Sequence, residues 1–225
     1  MNNMYFSLLF LLVVLCSSCD ISNPDTNSKP FPIVDIDGNG YDSVQIGNRF
    51  WLNSNIKVTH FRNGDPIPEA KTALEWIEAS EQGKPAYCYY DNNPFNALLY
   101  GKLYNWYAIN DTRGLAPLGW HIPTDEELIQ LGNDVNNDGG SIKSNSGWQN
   151  GANGTNTSRF YALPGGFRSY NGAFSFIEYF GYWWSSTASN NENAWGRYLN
   201  SEGNYVYRYV YKKGCGLAVR CIKDS

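Results

Sequence analysis

The chain reads as an α+β domain in which two main helices pack on twisted antiparallel sheets joined by long loops. Three observations carry this reading: a helical apolar stripe, a capped helix start, and a late series of strand-like runs. Leu99, Leu103, Trp106 and Tyr107 recur at i, i+4, i+7 and i+8, the spacing that lays one apolar stripe along a helix. A second helix begins at Thr124, whose hydroxyl can accept from the Glu127 N–H while the Glu127 carboxylate reaches back, with Pro123 just outside. Asp125, Glu126 and Glu127 crowd its first turn, where the helix dipole favours negative charge, and Leu128, Leu131 and Val135 supply its buried face. First-turn acids are what a capped helix wants, so they read as capping rather than catalysis.

The late runs are Phe160 to Leu163, Tyr182 to Thr187, Ala194 to Leu199, Tyr205 to Tyr211 and Leu217 to Ile222, with Gly203-Asn204 marking a hairpin between the third and fourth. In that hairpin Tyr205, Tyr207, Tyr209 and Tyr211 share one face, and Val206, Arg208 and Val210 share the other. The period does not say which face is core. An aromatic stripe of this kind reads first as sheet packing and second as a sugar platform. Upstream, Val34 to Leu52 alternates strand and turn, with Asp37-Gly38-Asn39-Gly40 and Gly47-Asn48 as turns. A short surface helix follows from Thr72, capped with Glu75 and carrying Leu74, Trp76 and Ile77, before Pro85. The Gly-, Asn- and Ser-rich stretch from Gly139 to Ser158 predicts an irregular loop anchored by Trp148.

The N-terminus carries an address. Phe6 to Leu15 is an apolar run too short to span a bilayer, followed by "LCSSC". Residues 1–19 resemble a bacterial lipoprotein signal peptide, with Cys19 the acylated residue and the mature N-terminus. Residues 20–33, rich in Asn, Ser, Asp, Thr and Pro, form a tether, and residues 34–225 the domain. The expected place is the cell envelope, lipid-anchored at the outer membrane or cell surface.

Composition narrows the function. The 225 residues carry a formal charge of −4, with Lys and Arg scattered, so nothing marks a nucleic-acid partner. Aromatic residues make up 16%, including 17 Tyr and 8 Trp, a supply that suits both a loop-rich core and stacking on sugars. Two fragments, Asp35-Asp37-Asn39-Gly40 and Asp134-Asn136-Asp138-Gly139, open like calcium loops, but Ile46 and Asn145 stand where a bidentate Glu is required, so both read as turns. His60 and His121 have no metal partner at ligand spacing, and no cofactor or metal is expected. No nucleophile elbow or phosphate loop is present, and Glu178 and Glu192 are loose candidates for a glycosidase pair. Besides Cys16 and Cys19 there are Cys88, Cys215 and Cys221; spacing does not choose a pair, and Cys88 with Cys221, both in strand-like runs, is the favoured disulfide.

A set of motifs in order points further. "GYDSVQIGNRFWLNSNI", "AYCYYDNNP", "YGKLYNWYAI", "GLAPLGWHIPTDEEL", "FYALPGGFRSYNGAF", "GYWWSST", "AWGRYL" and "GLAVRCIKD" together resemble the Fibrobacter succinogenes major paralogous domain. The resemblance implies a C-type lectin-like fold, akin also to formylglycine-generating enzymes, and no defined reaction. In those enzymes the active cysteine pair follows a glycine-rich segment, whereas "ALPGGFR" here has no cysteine and Cys215 and Cys221 lie near the chain end. A binding module is therefore expected over an enzyme, the alternatives being a glycan hydrolase, an oxidase-like enzyme or a structural envelope subunit. In C-type lectin-like folds the late strands and their loop form the usual ligand surface, which here is "GYWWSSTASNNENAWGRYLN". Asn190, Asn191 and Glu192 would supply polar contacts, Trp184 and Trp195 stacking faces, and Arg197 a hold on an anionic group, for a glycan or envelope protein. With Glu192 the lone carboxylate of that loop, the binding is expected to need no metal.

Overall fold

The computed structural model describes residues 33–225. Cys19, the signal and nearly all of the tether lie outside them. The chain forms β1 (Ile33–Val34), β2 (Gly40–Tyr41), β3 (Ser43–Ile46), β4 (Arg49–Leu52), α1 (Ala73–Glu81), β5 (Tyr87–Cys88), α2 (Asn96–Tyr100) and β6 (Leu103–Tyr104). It continues through α3 (Trp106–Ile109), β7 (Trp120–His121), α4 (Asp125–Asp134) and α5 (Gly139–Ile142). β8 (Gly165–Arg168), β9 (Phe174–Ile177), β10 (Phe180–Ala188), β11 (Asn193–Asn200), β12 (Tyr207–Lys212) and β13 (Ile222–Lys223) complete it. The fold is mixed, with much sheet and few helices, as the α+β reading requires. β12-β11-β10-β8-β9 make a five-stranded sheet, and β3-β4-β13-β7 a four-stranded antiparallel one.

Both predicted capping boxes form. Thr124 accepts from the Glu127 N–H at 3.2 Å and donates its own backbone N–H to the Glu127 carboxylate at 2.9 Å; Thr72 and Glu75 repeat the arrangement at α1. The α4 stripe packs as expected, with Leu128, Leu131 and Val135 in a core with Trp51, Ile142, Trp148, Phe160, Trp183 and Leu199. In α1, Trp76 is the residue that buries; its indole N–H donates to the Gly214 carbonyl at 2.9 Å, while Leu74 faces solvent.

The helix expected over Leu99 to Tyr107 is not one helix. Gly101, at φ +77°, breaks it: its backbone lies so close to Asn55 and Ile56 that a Cβ would meet the Ile56 carbonyl at 2.9 Å. α2 ends there, Leu99 is left exposed, and Leu103 and Tyr104 become a strand paired with Tyr87 and Cys88. Asn105 then caps α3, accepting from Ala108 at 3.1 Å and from the Ala86 N–H at 3.0 Å. Periodicity picked out Leu103 and Trp106, which are buried, but not that tertiary bonds to the backbone here outweigh one more helical turn. The two main helices are therefore α1 and α4.

The strand runs need two corrections. Phe160 to Leu163 makes only a bridge, Ala162 to Lys143, and the neighbouring glycine-rich segment forms β8 instead. Gly166 permits this, at φ +62°, because a Cβ would meet the Tyr90 ring at 2.6 Å. Leu217 to Ile222 is extended but belongs to no single sheet until Ile222. Leu217 pairs with Tyr104 and Ala218 with Trp183, Ile56 donates to Val219 at 3.0 Å, and Leu52 donates to Cys221 at 3.0 Å. This segment is buried throughout and lies in the core with Trp106, Trp120, Tyr182 and Trp184.

Truncating that seam should be costly. Leu217→Ala removes a fully buried side chain from between two sheets, and equilibrium urea unfolding should show a loss of about 2–5 kcal/mol. A loss below about 1 kcal/mol would show that the segment does not tie the sheets together.

Candidate functional site

The two faces of the five-stranded sheet have different fates. One turns Trp183 and Leu199 toward α4 and is closed. The other carries Phe167, Phe180, Tyr182, Trp184, Tyr198, Tyr207, Tyr209 and Tyr211, and is covered only at one end. There Trp184 and Tyr182 enter the core beside Trp106 and Leu217, and burial raises the Tyr182 and Tyr211 phenols far above their ordinary value. Toward the open end the rings remain a connected array. Tyr198 stacks on Tyr207 at 4.7 Å and 9°, Phe180 on Tyr182 at 5.6 Å and 8°, and Phe167 on Phe176 at 6.0 Å and 10°. Phe176 is 51% exposed and Tyr209 57%, with Tyr205 beyond them at 60%. None of these positions is charged. The array has the composition of a platform for a neutral ligand with flat apolar faces and hydroxyl edges.

The residues singled out in the late loop separate into two groups. Asn190, Asn191 and Glu192 are exposed at the β10–β11 turn, but much of their polar capacity is spent locally. The Asn190 carboxamide oxygen accepts from the Glu192 and Asn193 N–H groups, both at 2.9 Å, and the Asn191 carbonyl accepts from Lys213 at 3.1 Å. Trp184 cannot stack on a ligand: it is completely buried, with its indole N–H on the Tyr104 carbonyl at 2.8 Å. Trp195 is half-buried, and the Arg208 guanidinium covers its ring at 3.2 Å from the centroid.

Arg197 is not available to an anionic ligand either. Its side chain is 5% exposed and bonds the Asp125 carboxylate at 2.7 Å and the Asp125 carbonyl at 3.0 Å; Arg208 reaches the same carboxylate at 2.6 Å. Asp125 also donates its N–H to Thr187 at 2.9 Å, so the first turn of α4 is stitched to the sheet. Of the three acids, Asp125 is a buried counter-ion and Glu127 a cap, a division the first-turn pattern does not contain. Burial works to raise the Asp125 carboxyl, but hydrogen bonds and charge from Arg208 and Arg197 outweigh it and leave it below the ordinary carboxylate value.

The other candidates are also structural. His121 bridges Asp224 at 2.7 Å and Glu127 at 3.0 Å, and His60 holds Asp37 at 2.5 Å. Glu178 and Glu192 sit at opposite ends of the nine-residue β10, roughly 25 Å apart at about 3.3 Å per residue, beyond the ~5–9.5 Å of a glycosidase pair. Asp35 and Asp138 organise turns: Asp35 accepts from Asn39 at 2.9 Å and Asp138 from Gly140 at 2.9 Å. No group of three or more His, Cys, Asp or Glu side chains among the described residues could hold a metal ion.

The favoured disulfide does not form. Cys88, Cys215 and Cys221 are all free and buried. Cys88 packs with Trp76 and Leu103, while Cys221 lies in a different core with Leu52 and Val219. Burial pushes the Cys88 thiol up to about 12 and Cys215 up to about 11, and raises Cys221 as well, which leaves them as apolar packing groups rather than nucleophiles.

Residues 44–223 match the family model described as the Fibrobacter succinogenes major domain. The chain belongs to that family. No curated protein and no solved structure matches it. The domain spans β3 to β13, and so includes the aromatic sheet face, the buried Asp125 pair and the C-terminal seam. No helix among its described residues is long and apolar enough to cross a membrane.

Asp125→Ala leaves Arg197 buried without its partner and should cost about 3–5 kcal/mol in urea unfolding. The carboxyls of Asp125 and Glu127 are both held below their ordinary values, so their contribution is present above those values and is lost as pH falls through the lowered ones. Wild-type stability should therefore drop below pH about 4, and the drop should be shallower in Asp125→Ala. Parallel pH profiles would refute the assignment of Asp125.

Proposed function

We propose that the domain is a recognition module for an uncharged glycan, bound across the open part of the aromatic face of the five-stranded sheet. The observation that carries this reading is the array of Phe176, Phe180, Tyr198, Tyr207 and Tyr209, partly solvent-exposed, in ring-to-ring contact and free of charge. An aromatic face presents flat apolar area at low entropic cost, and phenol hydroxyls at its edge can exchange hydrogen bonds with sugar hydroxyls. The absence of charged side chains at these positions favours neutral over acidic sugars. The late strands remain the binding region in this reading, with contact moved from the β10–β11 turn to the face below it. Sheets that are antiparallel but for the parallel β8–β10 pair, two main helices and long loops are in keeping with a C-type lectin-like arrangement.

The proposed place of action is the cell envelope, with Cys19 acylated and residues 20–33 acting as a tether at the outer membrane or cell surface. The apolar run before "LCSSC" supports this reading.

An array of neutral and acidic envelope glycans, probed with the full chain, tests the binding. Tyr207→Ala and Tyr209→Ala should each weaken a neutral-glycan signal by about 1 kcal/mol, roughly fivefold, while the melting temperature changes little. Undiminished binding by the folded double variant would move recognition elsewhere. Co-purification of one envelope protein with no glycan signal would instead favour the structural-subunit reading. For the anchor, Cys19→Ser should abolish fatty-acid labelling and membrane fractionation; a variant that still sediments with membranes in high salt would end that assignment.

A further inference from the structure

The two outer edges of the five-stranded sheet are built differently. At one edge the chain in and just after β9 is irregular: Phe176 and Glu178 sit at φ +66° and +67°, and the Glu178 carbonyl accepts from the Gln149 N–H at 2.8 Å. Kinks and covers of this kind are how sheets block pairing with another chain. β12, at the other edge, has neither. It pairs with β11 through six residues without a register shift and contains no proline or glycine.

Register shows which backbone groups β12 turns outward. Lys213 donates to the Glu192 carbonyl at 2.9 Å, and along an antiparallel ladder hydrogen-bonded and non-hydrogen-bonded pairs alternate. Tyr211, Tyr209 and Tyr207 therefore bond β11, opposite Ala194, Gly196 and Tyr198. The other side of β11 agrees: Ser201 donates to the Tyr179 carbonyl at 2.9 Å, which sets Leu199 and Arg197 toward β10. Arg208 and Val210 are left with N–H and C=O groups directed away from the sheet, and none of these four groups has a hydrogen-bond partner among the described residues. Charge does not guard the edge either. Arg208 is held by the Asp125 carboxylate at 2.6 Å, and the Lys212 amine lies over the Tyr170 ring at 3.9 Å.

We propose that β12 pairs antiparallel with β12 of a second copy of this chain, about a two-fold axis at Tyr209. In that register Arg208 of each copy exchanges N–H···O=C bonds with Val210 of the other, so all four outward groups of each copy are satisfied. On the aromatic face Tyr209 meets its equivalent and Tyr207 meets Tyr211 of the other copy, cross-strand aromatic pairs that stabilise a sheet. Neighbouring registers are worse. Centring on Arg208 opposes two like charges, and centring on Val210 opposes Arg208 to Lys212, whose carbonyl is already taken by the Cys215 N–H at 2.9 Å. Charge also argues for a second copy over an acidic peptide, because both cations of the strand are engaged within the chain while its tyrosines match one another. Six residues span about 20 Å at roughly 3.3 Å each, a contact below the ~1,200 Å² of a stable complex, so the dimer is expected to dissociate at roughly 10–100 µM. The pairing joins two aromatic faces into one surface, but it does not rest on what that face binds.

Sedimentation equilibrium of the full chain under reducing conditions, from about 5 to 500 µM, tests the pairing and should show a monomer–dimer equilibrium. Amide hydrogen exchange at Arg208 and Val210 should slow about fivefold across that range. Tyr209→Lys sets like charges opposite each other at an exposed position and should weaken the dimer about tenfold with little change in melting temperature. Val210→Pro removes an N–H that no bond within the described chain uses, so the folded variant should be monomeric. If Val210→Pro does not fold, the exchange rates and Tyr209→Lys decide. The proposal is overturned if the chain stays monomeric throughout, which would leave the edge to water or to a different protein, or if it dimerises without slowing the two amides. A dimer kept at wild-type strength by folded Tyr209→Lys or folded Val210→Pro would also overturn it.

Discussion

The fold depends on the buried backbone of the C-terminal segment from Cys215 to Ile222. A buried backbone must satisfy its N–H and C=O groups, and a strand in one sheet would do so with two neighbours. Here the partners are spread: Tyr104 and Arg168 exchange bonds with it in both directions, Trp184, Ile56 and Leu52 donate to its carbonyls, and the Tyr182 carbonyl accepts from Ala218. The segment thus joins the two-stranded β5–β6 pair, the five-stranded sheet and the four-stranded sheet, and loss of its packing would uncouple all three. The side chains reinforce this. Arg220, fully buried, donates to the Asn55 carboxamide oxygen at 2.8 Å and to the Leu52 carbonyl at 3.1 Å, and also bonds the Phe160 carbonyl. Burial lowers its pKa from the ordinary guanidinium value, and no carboxylate offsets that cost, so a cage of neutral oxygens does.

The same seam explains why one sheet face is open. Leu217, Val219 and Cys221 fill the space beneath Tyr182 and Trp184, but they reach only one end of the sheet. Beyond that end the aromatic row continues along β10, β11 and β12 with no further element among the described residues placed over it. Its rings pack edge to edge and stack with one another, which keeps them ordered while their outer faces remain accessible. Capping and the Asp125 pair pin the N-terminal turn of α4 against the sheet.

The candidate site was legible in outline. Polar turn residues at Asn190 to Asn193 can be recognised because Asn is a turn former, and they do form the β10–β11 turn. Trp184 and Arg197 could not be assigned from sequence, because a strand buried on both faces has no alternation to betray which side chains reach solvent. Arg197 looks like an anion contact until Asp125, 72 residues away, is seen to hold it. Cys88 and Cys221 both sit in strand-like runs, yet those runs enter different cores.

What the sequence determined by itself is local. Capping pairs at Thr72 and Thr124, the Gly203-Asn204 hairpin, the alternating strands around it and the ordered motifs that mark the family all follow from short-range backbone chemistry and side-chain period. Tertiary structure decided what depends on distant partners: the break at Gly101 forced by Asn55 and Ile56, the dispersal of residues 217–221 among several sheets, the burial of Arg197 by Asp125, and the exposure of the tyrosine face. Local propensities are worth fractions of a kcal/mol per residue. A buried hydrogen bond or ion pair made by a residue far along the chain outweighs several of them, and only the folded chain says which residue that is.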